Sequence, residues 1–422
     1  MSESELRHAF PKGGASWPDL KAEMAEYSAD DADWRHGRVP MFVFKNDAET
    51  QDIGRNAFFE YFTENGLGGT RAFHGVGRME REVLDYGLAL FEAPDTGVGV
   101  FSPGGSESIF IAVKAARDAY RARAGAAQLG LNIVMPVSAH AAFDKAAQTM
   151  DLEIRRAPLR PDMRVDIAAL GALVDDCTML IVGSAPCYPH GVVDPLEQLS
   201  DMAVDRDVWL HVDACVGGWI LPFYRRNGRE VGPFDFTLPG VRSLSADLHK
   251  FGFCPKPAST VFFRDRADQE RAQFVADAWP SGVFRTATLA GTRPAGAVAA
   301  AWAVLNHLGS VGYARAADRL ATMTDAYVAD IQAIDGMQMW AKPDMSLINF
   351  GSHIHDMTKV AAQMTQRGWL TTLTRRPVGI HIMMSLLHEE PRQQYVADLR
   401  AAVHASASDT PVPNMASTGY AS

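Results

Sequence analysis

The sequence predicts an α/β protein in which a large domain, built on a mainly parallel sheet, is followed by a small C-terminal α/β domain. Three observations predict it. Between residues 131 and 213 short apolar runs alternate with helical patterns, and strands separated by helices of that length imply a parallel sheet covered on both faces. From about residue 310 the order changes to a long helix followed by strand-like runs with one helix among them. The 422 residues, 47% hydrophobic and 21% charged, suffice for one large core and a smaller one.

Residues 1–55 are polar and punctuated by Pro11, Gly13, Gly14, Pro18 and Pro40, which predicts an arm packed on a larger body or on a partner subunit. The large domain, 56–309, opens with two helical patterns around a glycine-rich loop at 66–77. Gly75-Val76-Gly77 lacks the third glycine and the preceding strand of a dinucleotide-binding turn. An apolar run then reaches Ser102, and after Gly104-Gly105-Ser106-Glu107-Ser108 the residues Ile109, Val113, Ala116 and Tyr120 fall at helical spacing. Such a helix start gathers backbone N–H groups and hydroxyls where a phosphate binds; the plainer alternative is a helix capped by Ser106. LNIVMPV, LEIRRAP, TMLIVGSAP and VWLHVD read as strands, with AAFDKAAQTM, DIAALGALVDD and PLEQLSDMAVDRD as the helices between them. Ligands in such sheets sit beyond the carboxyl ends of the strands, which places His140, Tyr188 to His190 and Asp213 at one rim. STVFFRD closes the core of the large domain, and a helix starts near Pro294 with Thr292 as a possible cap. The small domain, 310–406, reads as a helix at roughly 311–334, strands MQMWAKP and SLINFGS, the helix DMTKVAAQMTQRG, strands LTTLTRR and GIHIMMSL, and a last helix PRQQYVADLRAAVHAS, with a mainly antiparallel sheet. Residues 407–422 are small, polar and proline-containing, and a disordered tail is expected there.

The chemistry concentrates in residues 211–256. An apolar run ends in Asp213, and a second strand-like run, 243–247, delivers His249 and Lys250. An acid at one strand end and a lysine just past another suit pyridoxal phosphate. A lysine amine binds its aldehyde covalently, and a carboxylate paired with the ring nitrogen keeps that nitrogen protonated, so the ring accepts electrons from a bond breaking at the substrate. Taken singly, either residue is equally an ordinary buried Asp or a solvated Lys. Only nine of the forty basic residues are lysines, so few positions compete with Lys250, and Lys256 is the local rival.

The words HVDAC-x-GG and SAD-x-HK-x-G resemble the signatures of the group II pyridoxal-phosphate decarboxylases. Cys215, Leu248 and the run FGFCPK point within that family to the sphingosine-1-phosphate lyase branch. GVGRMEREVLDYGLALF, GGSES, SAHAAFDKAA, VGSAPCYPHGVVDP and AGTRPAG are similar to further segments of the family, and the likeness runs from about residue 60 to 387. The resemblance implies a fold-type-I enzyme whose large domain has a seven-stranded-type sheet. It implies that Asp213 pairs with the ring nitrogen, that Lys250 holds the aldehyde, that Gly105 and Ser106 take the phosphate, and that His140 stacks on the ring. His211 and His249, inside the same words, count with the cofactor residues. His190 or Tyr188 would face the substrate, unless their segment is only a turn shaped by Pro186, Pro189 and Gly191. Lys256 would be a helper near the substrate, with a solvated loop lysine as its alternative. Thr292 would reach the cofactor phosphate of a partner subunit, which implies a homodimer with composite sites.

The implied activity is retro-aldol cleavage of a β-hydroxy amine to an aldehyde and a smaller amine. Decarboxylation of an amino acid uses the same electron sink and is the alternative. A retired scaffold is a third reading, and the joint presence of Asp213, Lys250 and the phosphate words counts against it. The 66–77 loop departs from the family, which leaves the substrate open. A net charge of −10 argues against nucleic acid as a partner. Cys177, Cys187, Cys215 and Cys254 show no metal-ligand spacing, so no structural zinc and a reducing compartment are expected. The start MSESELRHAF is neither basic nor apolar and no run approaches a span of about 18 apolar residues, so a cytoplasmic location without a membrane span is expected.

Overall fold

In a computed structural model, which describes residues 10–124 and 130–406, the predicted strands of the large domain form one seven-stranded sheet. The strands are β1 (Val98–Ser102), β2 (Asn132–Pro136), β3 (Glu153–Ala157), β4 (Thr178–Ser184), β5 (Trp209–Asp213), β6 (Val241–Ala246) and β7 (Ser259–Phe263), in the order β1-β7-β6-β5-β4-β2-β3. Strands β3, β2, β4, β5 and β6 pair parallel, whereas β7 pairs antiparallel with both β6 and β1. The first residue of β7, Ser259, therefore lies at the same rim as the last residues of β1 and β6. Every residue of β2, β4, β5 and β7 is buried, which is why these strands read as apolar runs without alternation. Neighbours along a strand feed opposite cores: Ile133 and Met135 enter one, Val134 the other.

Helices α1 (Trp17–Tyr27), α2 (Ala48–Glu60) and α3 (His74–Leu90) precede the sheet. α4 (Gly105–Ala124), α5 (Ala142–Met150), α6 (Ile167–Gly171), α7 (Leu196–Asp205), α8 (Leu221–Arg226) and α9 (Arg266–Ala272) are interleaved with its strands or follow it. A hairpin, β8 (Phe274–Ala276) and β9 (Phe284–Thr286), leads to α10 (Ala295–Gln332). Then come β10 (Met337–Met339), β11 (Leu347–Ser352), α11 (Met357–Gln366), β12 (Thr372–Arg375), β13 (Val378–Met383) and α12 (Arg392–Ser406). The small sheet is antiparallel throughout, in the order β10-β11-β13-β12.

Four expectations change. Pro18 does not break the arm but occupies the first turn of α1, where a missing N–H costs nothing, and Ser16 caps that helix by accepting from Asp19 N. α2 runs across residue 55, where the arm was expected to end. α3 begins at His74, so Gly75 and Gly77 belong to its first turn rather than to the loop. A Cβ on Gly77 would lie 2.4 Å from the carbonyl oxygen of Gly69, so this glycine serves a close backbone approach. The helices expected on either side of residue 310 join as α10, which is interrupted where Gly309 takes φ 55° and ψ −177°. The expected tail, 407–422, lies outside the described residues.

Candidate active site

The rim where β1, β2, β4, β5 and β6 end holds a cavity of about 270 Å³. Its wall includes Gly104, Gly105 and Ser106 at the start of α4, His140 ahead of α5, Asp213 at the end of β5, and Asp247, His249 and Lys250 after β6. The parallel order of the sheet brings these together, since each strand delivers its carboxyl end to one side.

Asp213 is buried, and its Oδ1 accepts the backbone N–H of Cys215 at 3.1 Å. Lys250 Nζ lies 2.9 Å from Asp247 Oδ2, an ion pair with both side chains largely out of water. His140 Nδ1 accepts the N–H of Ala142 at 3.1 Å, so the imidazole caps the turn into α5 and lines the cavity at once. Burial pushes the His140 imidazole below its ordinary value, and the Lys250 charge adds to this against the opposing pull of Asp213, so the ring is neutral at pH 7. His249 is likewise lowered by burial, with Asp247 opposing. At the phosphate end, α4 offers the first N–H groups and the positive pole of a 20-residue helix. Gly105 admits no side chain, because a Cβ there would stand 2.8 Å from both carboxylate oxygens of Asp247 and 2.9 Å from Cys215 Sγ.

These groups fit pyridoxal phosphate. Asp213 would take the ring nitrogen, Lys250 the aldehyde, the neutral His140 the ring face, and Gly105 and Ser106 with the α4 N-terminus the phosphate.

Other expected site residues stand elsewhere. His211 does not line the cavity: it shares a face of β5 with Asp213 but sits two residues deeper, its Nδ1 2.8 Å from Ser243 Oγ and its Nε2 3.2 Å from Ser245 Oγ. His211 was counted because it stands in the same word as Asp213, and membership of a word does not report depth along the strand. Lys256 donates to the Phe42 carbonyl at 2.8 Å and lines a neighbouring cavity of about 760 Å³, which shares His249 with the first. His190 is buried, 3.0 Å from Asn349 Nδ2, and is pushed down to about 4 by burial. It lines a third cavity, of about 960 Å³, that shares Tyr188 with the first and also holds His381, Arg160, Arg375 and Arg376. Thr292 accepts from Asn65 Nδ2 at 3.3 Å and does not line its own chain's cavity. Asp247 was missed. Its signal is an acid three residues before the lysine, inside the SAD-x-HK-x-G word, where no role was given to it.

Among the described residues no helix is long and apolar enough to cross a membrane. A family profile described as "Pyridoxal-dependent decarboxylase conserved domain" matches residues 76–353. The sphingosine-1-phosphate lyase of Arabidopsis thaliana is 37% identical over 337 residues, 78% of this chain, and the chain spans 61% of that relative's length. A probable L-tyrosine/L-aspartate decarboxylase of Methanothrix thermoacetophila is 35% identical over 81% of this chain and 85% of its own. The solved sphingosine-1-phosphate lyase of Burkholderia pseudomallei superposes with a TM-score of 0.90 at 33% identity, covering 95% of this chain and 93% of that one.

Proposed function

Since the chain belongs to the pyridoxal-dependent decarboxylase family, and its cofactor is pyridoxal 5′-phosphate, we propose that it is a lyase that cleaves a β-hydroxy amine, by retro-aldol, into an aldehyde and a smaller amine. The observation that carries this reading is the cavity lining. Among the described residues its one cation is Lys250, while its imidazoles, His140 and His249, are held neutral. A substrate carboxylate beside the cofactor would call for a guanidinium or ammonium of its own. A hydroxyl makes no such demand of the cavity wall.

When bound, pyridoxal phosphate supplies an electron sink for the bond that breaks at the substrate's α-carbon. Asp213 holds the proton at the ring nitrogen and so maintains that sink. His140 covers the ring face and, with the α4 N-terminus, fixes the orientation. A base at the cavity wall accepts the β-hydroxyl proton, and Lys250 returns a proton to the α-carbon. The rest of the substrate extends past Tyr188 into the 960 Å³ cavity or past His249 into the 760 Å³ cavity.

Amino-acid decarboxylation is the second reading, favoured by the likeness to the Methanothrix enzyme and by the arginines of the larger cavity. A panel of β-hydroxy amines and amino acids, with product masses and evolved gas recorded, separates the two. Aldehyde release supports the lyase; carbon dioxide with no aldehyde overturns it.

The functional unit is a homodimer in this reading. α1 has no buried residue, and Trp17, Leu20, Met24 and Tyr27 leave an apolar stripe 41–74% exposed that a second copy would cover. In this reading Thr292, away from its own cavity, serves the partner's. Full activity in a species that light scattering shows to be monomeric would remove this part of the proposal.

A further inference from the structure

A line of buried hydroxyls ends on Lys250. Ser102 Oγ is 2.8 Å from Ser108 Oγ, which is 2.8 Å from Ser259 Oγ. Ser259 Oγ donates to Asp247 Oδ1 at 2.5 Å, and Asp247 Oδ2 meets Lys250 Nζ at 2.9 Å. The three serines are fully buried and Asp247 is 2% exposed. Strand direction assembles the line: because β7 runs against its neighbours, Ser259 pairs with Ser102 at the end of β1 and follows directly on the β6 rim, where Thr260 pairs with Ala246.

Counting protons gives the line a direction. Each hydroxyl donates once. Three hydroxyl protons face four contacts, the fourth being Ser102 Oγ to the Gly104 carbonyl at 3.2 Å. An ionised Asp247 only accepts, so Ser259 donates to it, and the two 2.8 Å contacts take the other protons, from Ser102 to Ser108 to Ser259, in preference to the longer contact with the Gly104 carbonyl. That carbonyl loses little, because the N–H groups of Glu107 and Ser108 already donate to it at 2.9 and 3.0 Å. A protonated Asp247 would forfeit its ion pair with Lys250, and with the proton on Oδ1 it would reverse the line as well. Burial alone would raise Asp247, but the Lys250 charge, the nearby His249 imidazole and the Ser259 hydroxyl outweigh it and hold the carboxyl below its ordinary range.

We propose that Asp247, seated by the Ser102–Ser108–Ser259 line, is the positioning residue for Lys250, keeping its amine protonated and in place whenever it is not joined to the cofactor. This rests on the reading of Lys250 as the cofactor-linking amine. An ammonium held there stands clear of the substrate amine that displaced it, and carries the proton that the α-carbon needs after bond cleavage. The other charged or titratable groups facing Lys250 are Asp213 on β5, His140 ahead of α5, Cys215 after β5, and His249 and Lys256 on its own segment. Asp213, on the same cavity wall, also favours the ammonium, so loss of Asp247 removes only part of the stabilisation of that charge.

The test needs neither substrate nor turnover. The full-length chain, stripped of cofactor, is treated with trace acetic anhydride across a pH series, and acetylation of Lys250 is read by peptide mass spectrometry. Asp247→Asn should move the pH of half-labelling down by about one unit or more, a tenfold change in proton affinity. Ser259→Ala should give a smaller shift in the same direction, and Ser259→Thr should restore the wild-type curve. Thermal melts report folding, and if Asp247→Asn does not fold the Ser259 pair decides alone. Labelling curves that superimpose on wild type overturn the proposal, even where melting midpoints fall, since that outcome is a structural role only. Failure of the lyase reading in the substrate panel leaves this result standing.

Discussion

At the scale of single residues the site is a set of charges whose places are set by strand ends. Lys250→Ala should abolish the visible absorption band of the bound cofactor after dialysis; a borohydride-reducible adduct at the wild-type level in this variant would move the linkage to Lys256. Asp213→Asn should retain cofactor yet lose about a hundredfold or more in turnover, because a neutral amide does not hold a proton at the ring nitrogen. Near-normal turnover with an unchanged spectrum would take Asp213 out of the mechanism. Asp213, Lys250 and His140 were legible because each stands just beyond an apolar run, where an open sheet exposes its side chains. Asp247 was not, since its partner Ser259 comes from a strand whose direction no local pattern reveals. His211 was counted with the cofactor residues because it shares a word with Asp213, and a word does not say which of its residues reaches the cavity.

At the scale of elements, the two that matter most are α4 and β7. α4 brings its first turn against Asp247 and Cys215 so closely that only glycine fits at Gly105. Gly105→Ala should therefore leave the circular dichroism spectrum unchanged while weakening cofactor binding by tenfold or more, measured by fluorescence titration, as the α4 N-terminus is pushed off the phosphate position. Wild-type affinity would show that this turn has room to shift. The alternation of strands and helices was readable from hydrophobic pattern, because strands buried on both faces have no polar positions to confuse it. α1 was not, because proline and serine mark a helix start and a turn with the same letters. The β8–β9 hairpin, with only three residues in each strand, carries too little pattern to be seen.

At the scale of the whole molecule, burial of neutral histidines ties stability to pH. His190 and His211 are pushed down to about 4 and His381 to about 3, in each case mainly by burial. The unfolded chain binds these protons first as pH falls, so stability is full above about pH 6.5 and is lost progressively toward pH 4. A single histidine moved from 6.5 to about 4 is worth about 3 kcal/mol over that window. Asp194, raised to about 6 by burial, works in the opposite sense by taking a proton in the fold first, and it offsets part of the loss. The melting midpoint measured by calorimetry should fall between pH 6.5 and 4.5, and fall less steeply in His211→Gln; a midpoint flat across that range would contradict the burial of these rings. The division into a large and a small domain was legible because the order of elements changes near residue 310, while the kink that joins them rests on one glycine in an otherwise unbroken helical run.

The residues that line the 270 Å³ cavity all lie between Gly104 and Lys250, and β7, which completes the sheet beneath them, ends at Phe263. On a ribosome the chain's own share of the cofactor pocket is thus finished before any residue of the small domain is added. The small domain arrives afterwards and walls in the larger cavity beyond Tyr188. Birth order separates the two tasks: the vitamin-derived group has a seat while the selectivity of the site is still being made.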